Sequence, residues 1–100
     1  MKYQLPKEFA TKWVKALRSG EYGQTRGEYY SEPFNCYCAL GVSFKVIGVQ
    51  PAQWDAPISD IRWPLLDDMD LKQIIIELND DRCLTFPEIA DWIEANVEFI

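Results

Sequence analysis

Apolar residues recur along this chain at helical spacing in four places. Phe9, Trp13 and Leu17 fall at i, i+4 and i+8, with Ala10, Val14 and Ala16 widening the stripe. This predicts a first helix over residues 5–19, with Pro6 in its first turn and Gly20 at its end. Lys12, Lys15 and Arg18 form its opposite, basic face. The stretch from Cys36 to Gly48 carries a single charge, Lys45. Its Val42, Phe44 and Val46 alternate with Ser43 and Lys45 as a strand would. Its Tyr37, Leu40, Phe44 and Ile47 also fit a buried helix, with Asn35 as a cap and Gly48 as the stop. The helix, from Cys38 to Ile47, is the preferred reading. Leu71, Ile74, Ile75 and Leu78 predict a third helix over Asp70–Asn79, opened by an Asp70/Gln73 capping box. Thr85 and Glu88 form a second such box, and Phe86, Ile89, Ala90, Ile93 and Val97 line one face of the last helix.

Between these helices the pattern breaks. Gly20, Gly23 and Gly27 mark a loop. Residues 28–30 and 34–37 can pair as a short hairpin around Ser31-Glu-Pro33. Pro51, Pro57 and Pro64 exclude a long helix over residues 49–70. That connection, with Trp54 and Trp63, is expected to wrap the core as an irregular cover. The expected fold is a single α+β domain over residues 1–100, dominated by about four helices, with a short β-hairpin between the first and central helices. Phe9, Trp13, Leu17, Leu40, Phe44, Ile47, Ile74, Leu78, Phe86, Ile89 and Ile93 should fill the core.

Composition narrows the chemistry. The hydrophobic content of 48% argues against disorder. There is no histidine, hence no imidazole base and no Cys-His or Ser-His pair. Cys36, Cys38 and Cys83 are an odd number and read as small, buried, inert thiols, neither a disulfide framework nor a zinc site. The aspartates around residues 67–81 match no calcium loop and read as caps and turn residues, so no metal or cofactor is expected. No secretory h-region and no long apolar run is seen, which points to the cytoplasm and away from membranes.

The net charge of −6 is unevenly placed: +4 over residues 1–26 and −10 over residues 27–100. That sign disfavours direct nucleic-acid contact and favours a basic protein partner. Two surfaces stand out. Glu88, Asp91, Glu94 and Glu98 fall at steps of three, three and four, so on a continuous helix they share a face about 15 Å long, clear of the apolar stripe. Charge reversal on that face is expected to leave the core intact. Arg18, Tyr22, Gln24 and Arg26, in and beside the glycine-rich loop, offer two guanidiniums, a phenol and an amide to a nucleotide-like anion.

The combination Phe9-x3-Trp13-Val14-x-Ala16-Leu17-Arg18-Ser19-Gly20-x-Tyr22-x-Gln24, Tyr37-Cys-Ala-Leu-Gly-Val42, Leu78-Asn-Asp80 and Phe86-Pro-Glu-Ile-Ala-Asp-Trp-Ile-Glu94 resembles a group of small, largely uncharacterised proteins of tailed phages and prophages. The resemblance covers most of the chain apart from residues 49–70 and assigns no residue a role. It implies a setting, the cytoplasm of an infected or lysogenic bacterium, where small accessory proteins bind and disable host proteins or capture defence signals. Thr85–Ile93 also resembles the opening of a helix-turn-helix domain, but no basic recognition helix follows. The leading expectation is a non-enzymatic protein that inhibits a host defence or regulatory protein through its acidic surface. A sequestering protein for a nucleotide signal comes second, and a small enzyme of unknown reaction third.

Overall fold

The computed structural model describes residues 3–27, 30–31, 36–48 and 69–100. Within them the chain is α+β and helix-dominated. In order run β1 (Tyr3–Leu5), α1 (Lys7–Arg18), β2 (Gly23–Gln24), β3 (Tyr30–Ser31), β4 (Cys36–Tyr37), α2 (Ala39–Val46), α3 (Met69–Asp80), α4 (Phe86–Asn96) and β5 (Val97–Phe99).

α1 is the central strut, packing against both α4 and α2, while α3 joins α2 and α4 from the other side. Phe9, Ala10, Trp13, Val14 and Leu17 of α1 are buried. Trp13 stacks on Phe9 and donates its indole N–H to the Ala39 carbonyl at 3.0 Å, which ties α1 to the start of α2. The central segment is a helix, as its i, i+3, i+7 spacing indicates. Its cap is Cys38 rather than Asn35: the Cys38 Sγ accepts from the Gly41 N–H at 3.3 Å. Asn35 itself lies outside the described residues. Gly48 closes α2 at φ +83°, a conformation that suits glycine. α4 opens with the expected capping box, Thr85 accepting from the Glu88 N–H and Glu88 accepting from the Thr85 N–H.

Both outer boundaries differ from expectation. Leu5 is in β1, not in the first helix. A residue before proline is pushed out of the helical region, so α1 starts only after Pro6. Val97, expected to continue the last helix, begins β5 instead. Asn96 turns its side-chain amide back to the Trp92 carbonyl at 2.9 Å, and the chain leaves helical geometry at the next residue. β1 and β5 pair in parallel, Tyr3 against Val97 and Leu5 against Phe99. The basic beginning and the acidic end of the chain are therefore neighbours, not opposite poles.

The anticipated hairpin is present as β3 antiparallel to β4, although residues 28–29 and 32–35 lie outside the described residues. β2 adds a third, parallel strand on the other side of β4. It passes so close that a Cβ on Gly23 would lie 2.8 Å from the Cys36 Sγ, hence the glycine. Of the expected core, nine residues are buried, while Ile47 and Ile74 are only half-buried. On α3 the inward face runs through Leu71, Ile75 and Leu78 and includes Lys72 and Asn79. Of the irregular cover expected over residues 49–70, residues 49–68, with Trp54 and Trp63, lie outside the description, and residues 69–70 already belong to α3. The Asp70 side chain also lies outside the description.

Candidate functional site

α4 buries Phe86, Ile89, Ala90 and Ile93 and leaves its carboxylates outside. Glu88 is held by the capping box, and its bonds from the Thr85 N–H and then the Thr85 hydroxyl pull its carboxyl pKa below the usual value. Asp91 and Glu94 face α1. Arg18, on the last turn of α1, places its Nη2 between them, 2.6 Å from the Asp91 Oδ1 and in contact with the Glu94 Oε1. These bonds, Glu94 first and Asp91 second, push the guanidinium pKa up. Asp91 nonetheless keeps 74% of its side chain exposed. The expected row of four carboxylates is thus shortened. Glu98 is on β5, off the helix, while Asp91 and Glu94 form one fixed pair around a shared cation. Neither is an isolated solvated charge, so reversing both would set two new cations against Arg18.

The second expected group does not converge on one site. Arg18 turns to α4. Tyr22 packs edge-on against Tyr37, ring centroids 5.4 Å apart. Burial of Tyr37 raises its phenol pKa. Gln24 and Arg26 go to the turn between α3 and α4. Gln24 Nε2 donates to the Asn79 Oδ1 at 2.9 Å and to the Leu84 carbonyl at 2.7 Å. Arg26 donates through Nε to the Asn79 carbonyl at 3.0 Å and through Nη2 to the Cys83 carbonyl at 3.1 Å. A cation on the last carbonyls of α3 is where the helix dipole favours one.

Asn79 organises this corner, although the sequence marks it only as the last residue of the third predicted helix. It is fully buried. Its Oδ1 also accepts from the Ala39 N–H at 3.1 Å, an amide of the first turn of α2. Its Nδ2 donates to the Thr25 carbonyl at 2.8 Å and to the Asp80 Oδ1 at 2.7 Å. One amide therefore joins α3, α2 and the glycine-rich loop. Apart from Asp80, its partners lie 40 to 55 residues away in the chain, and no local pattern announces them.

The cysteines are free and differ from one another. Cys38 is buried, and desolvation pushes its thiol pKa up to about 11. Cys36 is half-buried, whereas Cys83, expected inside, is exposed on the α3–α4 turn at φ +53°. Among the described residues no three Cys, Asp or Glu side chains gather as a cation site. Among the same residues no helix is long and apolar enough to cross a membrane.

No curated protein and no solved structure matches the chain. A family model does match residues 5–68, the span from β1 through α1, the small sheet and α2. On that match, the chain belongs to the family described as a domain of unknown function, DUF8296.

Proposed function

We propose that this chain is a non-enzymatic accessory protein of phage origin that binds and inhibits a host protein, of the defence or regulatory kind, through the acidic surface of α4. The supporting observation is the double ion pair of Arg18, which holds Asp91 and Glu94 as an oriented, exposed carboxylate pair. Side chains already fixed lose less freedom on docking than mobile ones, so a prearranged pair favours association. Two carboxylates around one guanidinium keep a net negative charge. On a chain of charge −6 they present a face complementary to lysine or arginine on a partner. The setting is the cytoplasm of the bacterial host, with no cofactor and no direct nucleic-acid contact.

Affinity capture from bacterial lysate tests this reading, with wild type and the Asp91→Asn/Glu94→Gln double variant run side by side. The variant should fold, because Arg18 is exposed and remains hydrated when its partners are neutral. The host protein enriched by wild type should be lost from the variant. Equal recovery by both would reject the acidic surface as the docking face.

A further inference from the structure

An open groove of about 650 Å³ runs beside the Arg18 ion pair, where α1 meets α4 and β5. Its least exposed walls are apolar, Val14 of α1 and Phe99 of β5. Its rim is polar: Thr11, Lys15 and Arg18 from α1, and Glu94 from α4. The volume falls within the roughly 300–1,000 Å³ typical of small-molecule sites, which combine apolar walls with a few placed polar groups.

The charges around this rim are balanced on an otherwise acidic molecule. Lys15 and Arg18 offset Glu94 and Asp91, the second carboxylate on Arg18, for a net of zero where the whole chain carries −6. Among the described residues Lys15 has no carboxylate partner. Arg18 meets both of its carboxylates through Nη2 alone, while its Nε and Nη1 make no bond to a described residue. A guanidinium has five N–H donors in a rigid plane. One edge of that plane is thus anchored to α4, and donors remain for a ligand. A second negative charge on the ligand would meet Glu94 and Asp91.

We propose that this groove binds a monoanionic amphiphile: an apolar body lying along Val14 and Phe99, with one carboxylate or sulfonate head held by Lys15 and Arg18. The site adjoins the acidic docking face and shares Arg18 and Glu94 with it, but it uses the free guanidinium donors, Lys15 and the apolar walls rather than the carboxylates. It also differs from capture of a polyanionic nucleotide by the glycine-rich loop, because Tyr22, Gln24 and Arg26 take no part in it.

Fluorescence titration with 8-anilinonaphthalene-1-sulfonate, itself an aromatic monoanion, tests the site in the intact chain. The dye should saturate a single site, and dodecanoate, but not the dianion adenosine monophosphate, should displace it. Lys15→Glu should weaken binding about tenfold or more, whereas Lys45→Glu, the same charge change on α2, should alter it by less than about twofold. Thr11→Trp, which fills the groove without changing charge, should also weaken binding about tenfold or more. Both substituted groove positions are exposed. If Lys15→Glu fails to fold, Lys15→Gln carries the same comparison with a smaller effect. Absence of saturable binding would overturn the proposal. So would equal effects of the Lys15 and Lys45 variants, indifference to Thr11→Trp, or displacement by adenosine monophosphate as effective as by dodecanoate. Asp91 and Glu94 are intact in every variant, so failure here leaves the acidic-face reading to its own test.

Discussion

Asn79→Ala is the substitution that should damage this fold most for its size. The side chain makes four hydrogen bonds from a fully buried position. Two of its partners have other recourse. Gln24 Nε2 keeps the Leu84 carbonyl, and the half-buried Asp80 carboxylate can be hydrated. The other two have no second partner among the described residues. The Ala39 N–H begins α2, where no helical carbonyl precedes it, and Ala39 is fully buried. The Thr25 carbonyl loses its amide donor on a half-buried residue. An orphaned buried group costs about 1–3 kcal/mol and a partly shielded one less; with the vacated volume added, a loss of about 3–5 kcal/mol is expected. That is a large part of the roughly 5–15 kcal/mol that stabilises a domain of this size. At about 4 °C or more per kcal/mol, Tm should fall by about 12 °C or more. Urea unfolding followed by tryptophan fluorescence measures the loss directly. Gln24→Ala, which spares the Ala39 bond, should cost only about 1 kcal/mol. Asn79→Asp keeps the acceptor but loses the donor and sets a carboxylate beside Asp80 at the negative end of α3. Its penalty should shrink as pH falls, when the introduced carboxyl is protonated and donates again. A loss under about 1 kcal/mol for Asn79→Ala would refute the assignment of this amide as the joint between α3, α2 and the loop.

Three further outcomes follow from the same structure. Ile89→Ala removes a fully buried side chain of α4 and should cost about 2–5 kcal/mol in chemical denaturation; a change under about 0.5 kcal/mol would mean the wrong face of α4 is inside. Thr85→Ala removes the capping hydroxyl and should cost about 1 kcal/mol, with no effect at all counting against the capping box. The Cys38 thiol is raised from 9.0 to about 11, so the neutral thiol is favoured in the folded state. Its contribution to stability is therefore complete below pH 9, the unfolded value, and is lost as pH rises through the folded value of about 11. Cys38→Ser keeps an acceptor for the Gly41 N–H and should flatten this alkaline loss; an unchanged pH profile would show that the thiol is not its source.

The helices were legible because each carries its own periodic stripe and its own stop or start signal. Thr85 and Glu88 are three residues apart, so their reciprocal bonds follow from local spacing alone. Gly48 likewise announces the end of α2. The boundaries at Leu5 and Val97 were harder for opposite reasons. Leu5 had a usable signal in Pro6, which pushes its predecessor to extended geometry. Val97 fits both a helical stripe from Ile93 and the alternation of Val97, Glu98 and Phe99, and only the pairing with β1 decides between them. The candidate sites divide in the same way. That Asp91 and Glu94 are exposed follows from the apolar stripe of α4. That Arg18 lies between them does not, because 73 residues separate Arg18 from Asp91. The roles of Gln24, Arg26 and Asn79 depend on contacts 40 to 60 residues away and emerge only when the glycine-rich loop is laid against the end of α3.

The association rate between this chain and the host protein recovered by capture is the most direct measure of the docking face. It should be followed by surface plasmon resonance over a series of salt concentrations. Electrostatic attraction by Asp91 and Glu94 predicts that the wild-type on-rate falls about tenfold or more from low to high salt. The Asp91→Asn/Glu94→Gln variant should bind more slowly at low salt and show a flatter salt dependence. An on-rate that is insensitive to salt, or identical in wild type and variant at low salt, would contradict the account.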